Sequence, residues 1–129
     1  MATKILLVED EQDLMTLLRF IFEKFGYSVQ EARNGQEALD MIGAGEIPAA
    51  PNLPDVIVTD VMMPVVDGYT LVSRLQENDA TAKIPVVIMT AKGQTRDLFQ
   101  CVSNIAGFIE KPFEPKQLKD IVDKVLQAK

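Results

Sequence analysis

A chain of 129 residues with 47% hydrophobic content fits one domain, residues 1–129, with a core of its own. The net charge of -6 argues against a grip on nucleic acid, and a single cysteine with no histidine excludes an internal disulfide, a thiolate metal cluster and any Cys–His or Ser–His–Asp catalytic pair. No apolar run approaches the roughly 20 residues of a membrane span, and "MATKILLVED" reads as no signal peptide, so the expectation is a cytoplasmic chain without membrane insertion.

Apolar runs alternate with segments of helical period. "KILLV" (4–8) reads as a buried strand, followed by a helix whose stripe is Leu14, Leu17, Leu18, Ile21, Phe22 and Phe25, with Gly26 placed to end it. "YSVQEA" is a second, less apolar strand suited to a sheet edge, and residues 35–42 form a short helix capped by Asn34. The run "GAGEIPAAPNLP", with Gly43, Gly45, Pro48, Pro51 and Pro54, predicts a loop. A third strand, "DVIVTD", leads to a helix carrying Leu71, Val72 and Leu75. The strand "IPVVIMTA", a weaker helix around Leu98, Cys101 and Val102, the strand "GFIE" and a last helix with Leu118, Ile121, Val122, Val125 and Leu126 complete the chain. Cys101 reads as a small core residue.

Strands interleaved with helices predict a doubly wound α/β fold: a five-stranded parallel sheet covered on both faces by five helices. The first, third and fourth strands are the most continuously apolar and belong in the centre. That suits the flavodoxin-like order 2-1-3-4-5, in which ligands sit beyond the carboxyl ends of the first and third strands.

At the carboxyl ends of the strands stand Glu9 and Asp10 after the first, Asp60 at the end of the third, Thr90 after the fourth and Lys111 after the fifth. Carboxylates about 4 Å apart repel by up to about 4 kcal/mol per pair at an effective dielectric near 20, so something positive must offset them. Lys111 supplies one charge, and a hard divalent cation such as Mg²⁺ suits oxygen ligands. An acid, a metal, a lysine and a hydroxyl converging on one point are the requirements of phosphoryl transfer, with Asp60 as nucleophile.

The motifs "VED", "VIVTDVMMPVVDGY", "VVIMTAK" and "FIEKPF", in that order and spacing, resemble the receiver domains of two-component response regulators, and are similar to the stand-alone chemotaxis type. The resemblance implies that Asp60 is a phosphoacceptor, that Asp10 binds Mg²⁺ directly with Glu9 helping through water, and that the Met62 backbone carbonyl completes the protein's share of the metal shell. It further implies Thr90 as the switch hydroxyl, Lys111 as the phosphate-pairing lysine and Phe108 as the switch aromatic. The partners implied are a sensor histidine kinase or phosphotransfer protein, and a downstream protein on the face built by the fourth helix, fifth strand and fifth helix. The resemblance implies a signalling phosphoprotein that catalyses only its own phosphorylation and dephosphorylation.

The sequence departs from the family's commonest pattern in three places: Glu9 stands where Asp is also common, Phe108 where many relatives have Tyr, and the loop from Gly43 to Pro54 is long, read as a surface insertion. Two other functions compete. A Mg²⁺-dependent aspartyl-phosphate phosphatase is disfavoured because "VMMP" after Asp60 offers no second acid two residues on; a flavin-binding electron carrier is disfavoured because "EDEQD" would repel a phosphate.

Overall fold

The described elements run, in chain order, β1 (Lys4–Val8), α1 (Gln12–Lys24), β2 (Ser28–Ala32), α2 (Gly35–Ile42), β3 (Val56–Asp60), α3 (Gly68–Gln76), α4 (Asp79–Ala82), β4 (Val86–Ala91), β5 (Ile105–Lys111) and α5 (Pro115–Gln127). The computed structural model describes residues 3–42, 53–60, 68–77, 79–91, 105–111 and 114–127. All strand pairings are parallel and the order is β2-β1-β3-β4-β5, as the apolar character of the runs predicts.

The sheet has a core on each face because strand residues alternate in direction. One layer packs Leu6, Val8, Ile57, Val86 and Ile88 against Ala38 and Leu39 of α2 and Leu71, Val72 and Leu75 of α3. The other packs Ile5, Leu7, Val58, Val87 and Met89 against Met15, Leu18 and Phe22 of α1 and Leu118, Val122 and Val125 of α5. Near the β4–β5 register irregularity, Gly107 admits α5 closely: a Cβ there would lie 2.7 Å from Ile121 Cδ1.

Several local details differ from the sequence reading. Leu17, assigned to the α1 stripe, is 52% exposed, because the stripe runs through Met15, Leu18 and Phe22, and Leu17 falls on its shoulder at about 100° per residue. Strand β2 starts at Ser28 rather than Tyr27, whose N–H is taken by the Phe22 carbonyl at 3.1 Å. Strand β5 extends past "GFIE" to Ile105 at its start and to Lys111 at its end. The one-turn helix α4 was not predicted; its buried Thr81 donates its hydroxyl to the Leu75 carbonyl of α3 at 2.6 Å. Most of the 43–54 loop and the helix predicted around Leu98, Cys101 and Val102 lie outside the described residues, while Leu53 packs against the α2/α3 core.

The predicted helix signals operate as the chemistry requires. Asn34 Oδ1 accepts the Glu37 N–H at 2.9 Å and caps α2. At the end of α1, Gly26 adopts φ 94°, and the Gly26 N–H donates to the Glu23 carbonyl while that of Tyr27 reaches Phe22. This is a Schellman closure, completed by an edge-on contact of the Phe22 and Tyr27 rings at 6.0 Å. Substituting Gly26→Ala meets nothing within 4 Å, so its cost is the left-handed backbone alone. A loss of about 1 to 2 kcal/mol is expected, read as a lower urea midpoint at unchanged slope.

The same turn is tied to α5. The Tyr27 hydroxyl donates to Asp123, which also accepts Lys119 Nζ, and Lys119 lies 5.7 Å from the Phe25 ring centroid. Burial first, and the bond to Asp123 second, push the Tyr27 hydroxyl up from 10.0 to about 12. The folded state therefore holds that proton more tightly than the unfolded chain, so the contribution is complete below pH 10 and is lost as pH rises toward about 12. Chemical denaturation of the parent should show a steeper loss of stability over that interval than Tyr27→Phe; parallel curves would contradict the assignment.

Candidate functional site

Strand register brings the acids together. Val8 of β1 pairs with Thr59 of β3, so the next residues along, Glu9 and Asp60, leave adjacent strands at the same carboxyl edge. Carboxylate oxygens of Glu9, Asp10 and Asp60 all lie within 4.8 Å of one another. Surface acids often cluster without consequence, but Glu9 is only 2% exposed and Asp60 7%, while Asp10 faces solvent. Two carboxylates this deep need compensation.

Part of it comes from α1. Glu9 Oε2 accepts the backbone N–H of Glu11 at 3.0 Å, and Glu11 is the N-cap residue of that helix. The Glu11 side chain makes no cap bond, so a carboxylate from outside the helix serves one of its free amides and meets the positive end of its dipole. The Glu9 N–H continues the β1–β2 ladder by donating to the Ala32 carbonyl at 3.0 Å.

Thr90 is buried on the neighbouring strand, one residue beyond Met89, the register partner of Asp60. Lys111 ends β5 opposite Ala91, placing its backbone at the same edge. Phe108 pairs with Ile88 and is half-buried against the α2/α3 core. Met62 lies outside the described residues. Thus the side chains of Glu9, Asp10 and Asp60 converge directly, with Thr90 and the Lys111 backbone at adjoining strand ends. Two participants were not picked out from sequence: the Glu11 amide, which no side-chain pattern announces, and Thr59, whose hydroxyl donates to the Asp60 carbonyl at 3.0 Å. The one uncharged polar residue inside "VIVTD" was the available signal.

Among the described residues this trio is a candidate cation site on its own chemistry: its donors are all carboxylate oxygens, a set that suits hard divalent ions such as Mg²⁺ rather than thiolate-seeking metals. Chemically the edge offers anionic oxygens, a buried hydroxyl and a route to solvent through Asp10.

A flavodoxin-like sheet with a buried acid cluster at the β1/β3 switch point defines a class of ligand-accepting α/β domains. Within it the chain belongs to the response regulator receiver domains, whose family model matches residues 5–123. It is 35% identical over 98% of its length to the probable transcriptional regulator ycf29 of Pyropia yezoensis, covering 54% of that protein. It spans about half the length of the curated relatives it matches. Among solved structures, a putative response regulator from Chloroflexus aurantiacus is 30% identical with a TM-score of 0.87, covering 98% of this chain and 99% of that one. The receiver domain of a sensor histidine kinase from Pseudomonas aeruginosa, solved with magnesium in its active site cleft, shares the fold at 23% identity, with a TM-score of 0.83 and coverage of 98% and 99%. The chain is therefore a two-component signalling receiver, in a family whose members interact with histidine kinases.

Because Asp10 is the exposed member of the trio, Asp10→Asn should relieve repulsion without leaving a buried group unpaired. In chelator its melting temperature should equal or exceed the parent's, and the rise that Mg²⁺ gives the parent should shrink. Undiminished stabilisation by Mg²⁺ would remove Asp10 from the site.

Proposed function

We propose that residues 1–129 act as a phosphorylation-controlled switch that accepts a phosphoryl group on Asp60 in a Mg²⁺-dependent reaction. The observation that carries this reading is the convergence of Glu9, Asp10 and Asp60 within 4.8 Å, two of them buried, at the switch point of a receiver sheet. Glu9, Asp10, Asp60 and the Met62 backbone carbonyl would hold the ion, which when bound supplies positive charge against the carboxylates and the incoming phosphoryl oxygens.

The chain's own residues do the rest. Asp60, held at the end of β3, attacks the phosphorus of a phosphohistidine on a sensor kinase or phosphotransfer protein. The new bond is O–P, the broken bond is N–P, and its electron pair stays on the imidazole, which takes up a proton. Lys111 pairs with a phosphoryl oxygen and the Thr90 hydroxyl donates to another, leaving the position it held beside β5. Phe108, packed on the same face as Ile88, then changes its placement, and the altered surface is that of the predicted helix around Leu98 to Val102, β5 and α5. A downstream protein reads that face, in the cytoplasm, without direct contact of this chain with nucleic acid or membrane. The domain serves no external substrate, and removal of the phosphoryl group completes its own cycle.

Incubation with Mg²⁺ and a small phosphodonor should yield one labile adduct per chain, cleaved by hydroxylamine as an acyl phosphate is, absent in Asp60→Asn and absent in chelator. An adduct that persists in Asp60→Asn would place the chemistry elsewhere; steady turnover of many phosphomonoesters would favour the phosphatase.

A further inference from the structure

Thr59 interrupts an otherwise aliphatic strand one residue before Asp60. Its register partners are Val8 and Ile88, both in the α2/α3 core, and it is completely buried. Strand alternation sends Thr59 and Asp60 to opposite faces, so the hydroxyl is not part of the acid cluster. A valine of the same shape would suit these aliphatic neighbours better, since a buried hydroxyl loses its hydration. The Thr59 hydroxyl instead donates to the backbone carbonyl of Asp60 at 3.0 Å. Asp60 is the last residue of β3, so that carbonyl belongs to the peptide by which the chain leaves the sheet.

We propose that Thr59 is a positioning residue for the acid cluster: by fixing the peptide after Asp60, it sets the backbone torsion from which the Asp60 carboxylate reaches toward Glu9 and Asp10. The inference rests on the cation-binding reading of the trio. It assigns the hydroxyl a task that acts through the backbone, from the face of the sheet opposite the acids. Outer-shell partners of this kind govern how well ligands already present meet a cation.

Two substitutions separate positioning from packing. Thr59→Val keeps the shape and removes the donor; Thr59→Ser keeps the donor and removes a methyl group from the core. In chelator, Thr59→Val should melt no lower than the parent, yet its Mg²⁺ dissociation constant, from the rise in melting temperature across a Mg²⁺ titration, should increase about tenfold. Thr59→Ser should melt lower while binding Mg²⁺ within about twofold of the parent, a difference too small to count as lost positioning. The rate of phosphorylation at limiting Mg²⁺ should follow the affinities and not the melting temperatures. The proposal is overturned if Thr59→Val binds Mg²⁺ like the parent, or if it melts lower in chelator or fails to fold, since the hydroxyl would then be structural. A parent that Mg²⁺ does not stabilise at all would instead defeat the cation-binding reading itself, which keeps the two failures distinct.

Discussion

Everything at the carboxyl edge of this sheet depends on like charge held in place. Glu9 and Asp60 are buried beside each other and beside Asp10, within 4.8 Å, and at an effective dielectric near 20 two unit charges at that separation repel by about 3.5 kcal/mol. A flexible chain would let them separate. Here they cannot, because each is the first residue past a completely buried run, Ile5–Val8 in β1 and Val56–Thr59 in β3, and the two runs are locked in register. The apolar strands provide the stabilisation, and the acids are carried at its expense. A domain that tolerates such a cluster is poised to bind whatever neutralises it.

The start of α1 meets part of this charge. Glu9 leans on the Glu11 amide at the start of α1, so one charge is partly met by a helix terminus. The exposed Asp10 keeps the cluster open to solvent.

Fold and site were legible in the sequence to different depths, for physical reasons. Central strands of a parallel sheet are buried on both faces, so β1, β3 and β4 show nearly continuous apolar runs that mark them as central, which suits the order observed. The site's acids were legible because each interrupts or ends such a run. Contacts made by backbone groups leave no such mark: the Glu11 amide, the Asp60 carbonyl that Thr59 holds, and the Leu75 carbonyl that Thr81 caps are known only once the chain is folded. The Tyr27–Asp123 contact joins residues 96 apart in the chain, beyond the reach of any local pattern. Leu17 shows the opposite failure: its spacing matches the helical stripe, yet it falls on the stripe's shoulder and stays exposed.

The two halves of α5 are held differently, and this bears on how a change at the acid edge could travel. Toward its C-terminal half, Asp123 is bonded to Tyr27 in the turn after α1, and Lys119, one turn earlier, bonds Asp123 and lies against Phe25. Ile121 closes on Gly107 of β5 on another side. One residue from Gly107 is Phe108, whose ring lies on the opposite layer with Ile88. The β4–β5 ladder thus connects Thr90, paired with Glu110, to Phe108, paired with Ile88, in two steps along adjacent strands. A shift of Thr90 need not pass through the core to alter Phe108. Phe108 has no hydroxyl to bond, so its contact with the α2/α3 layer is one of packing alone.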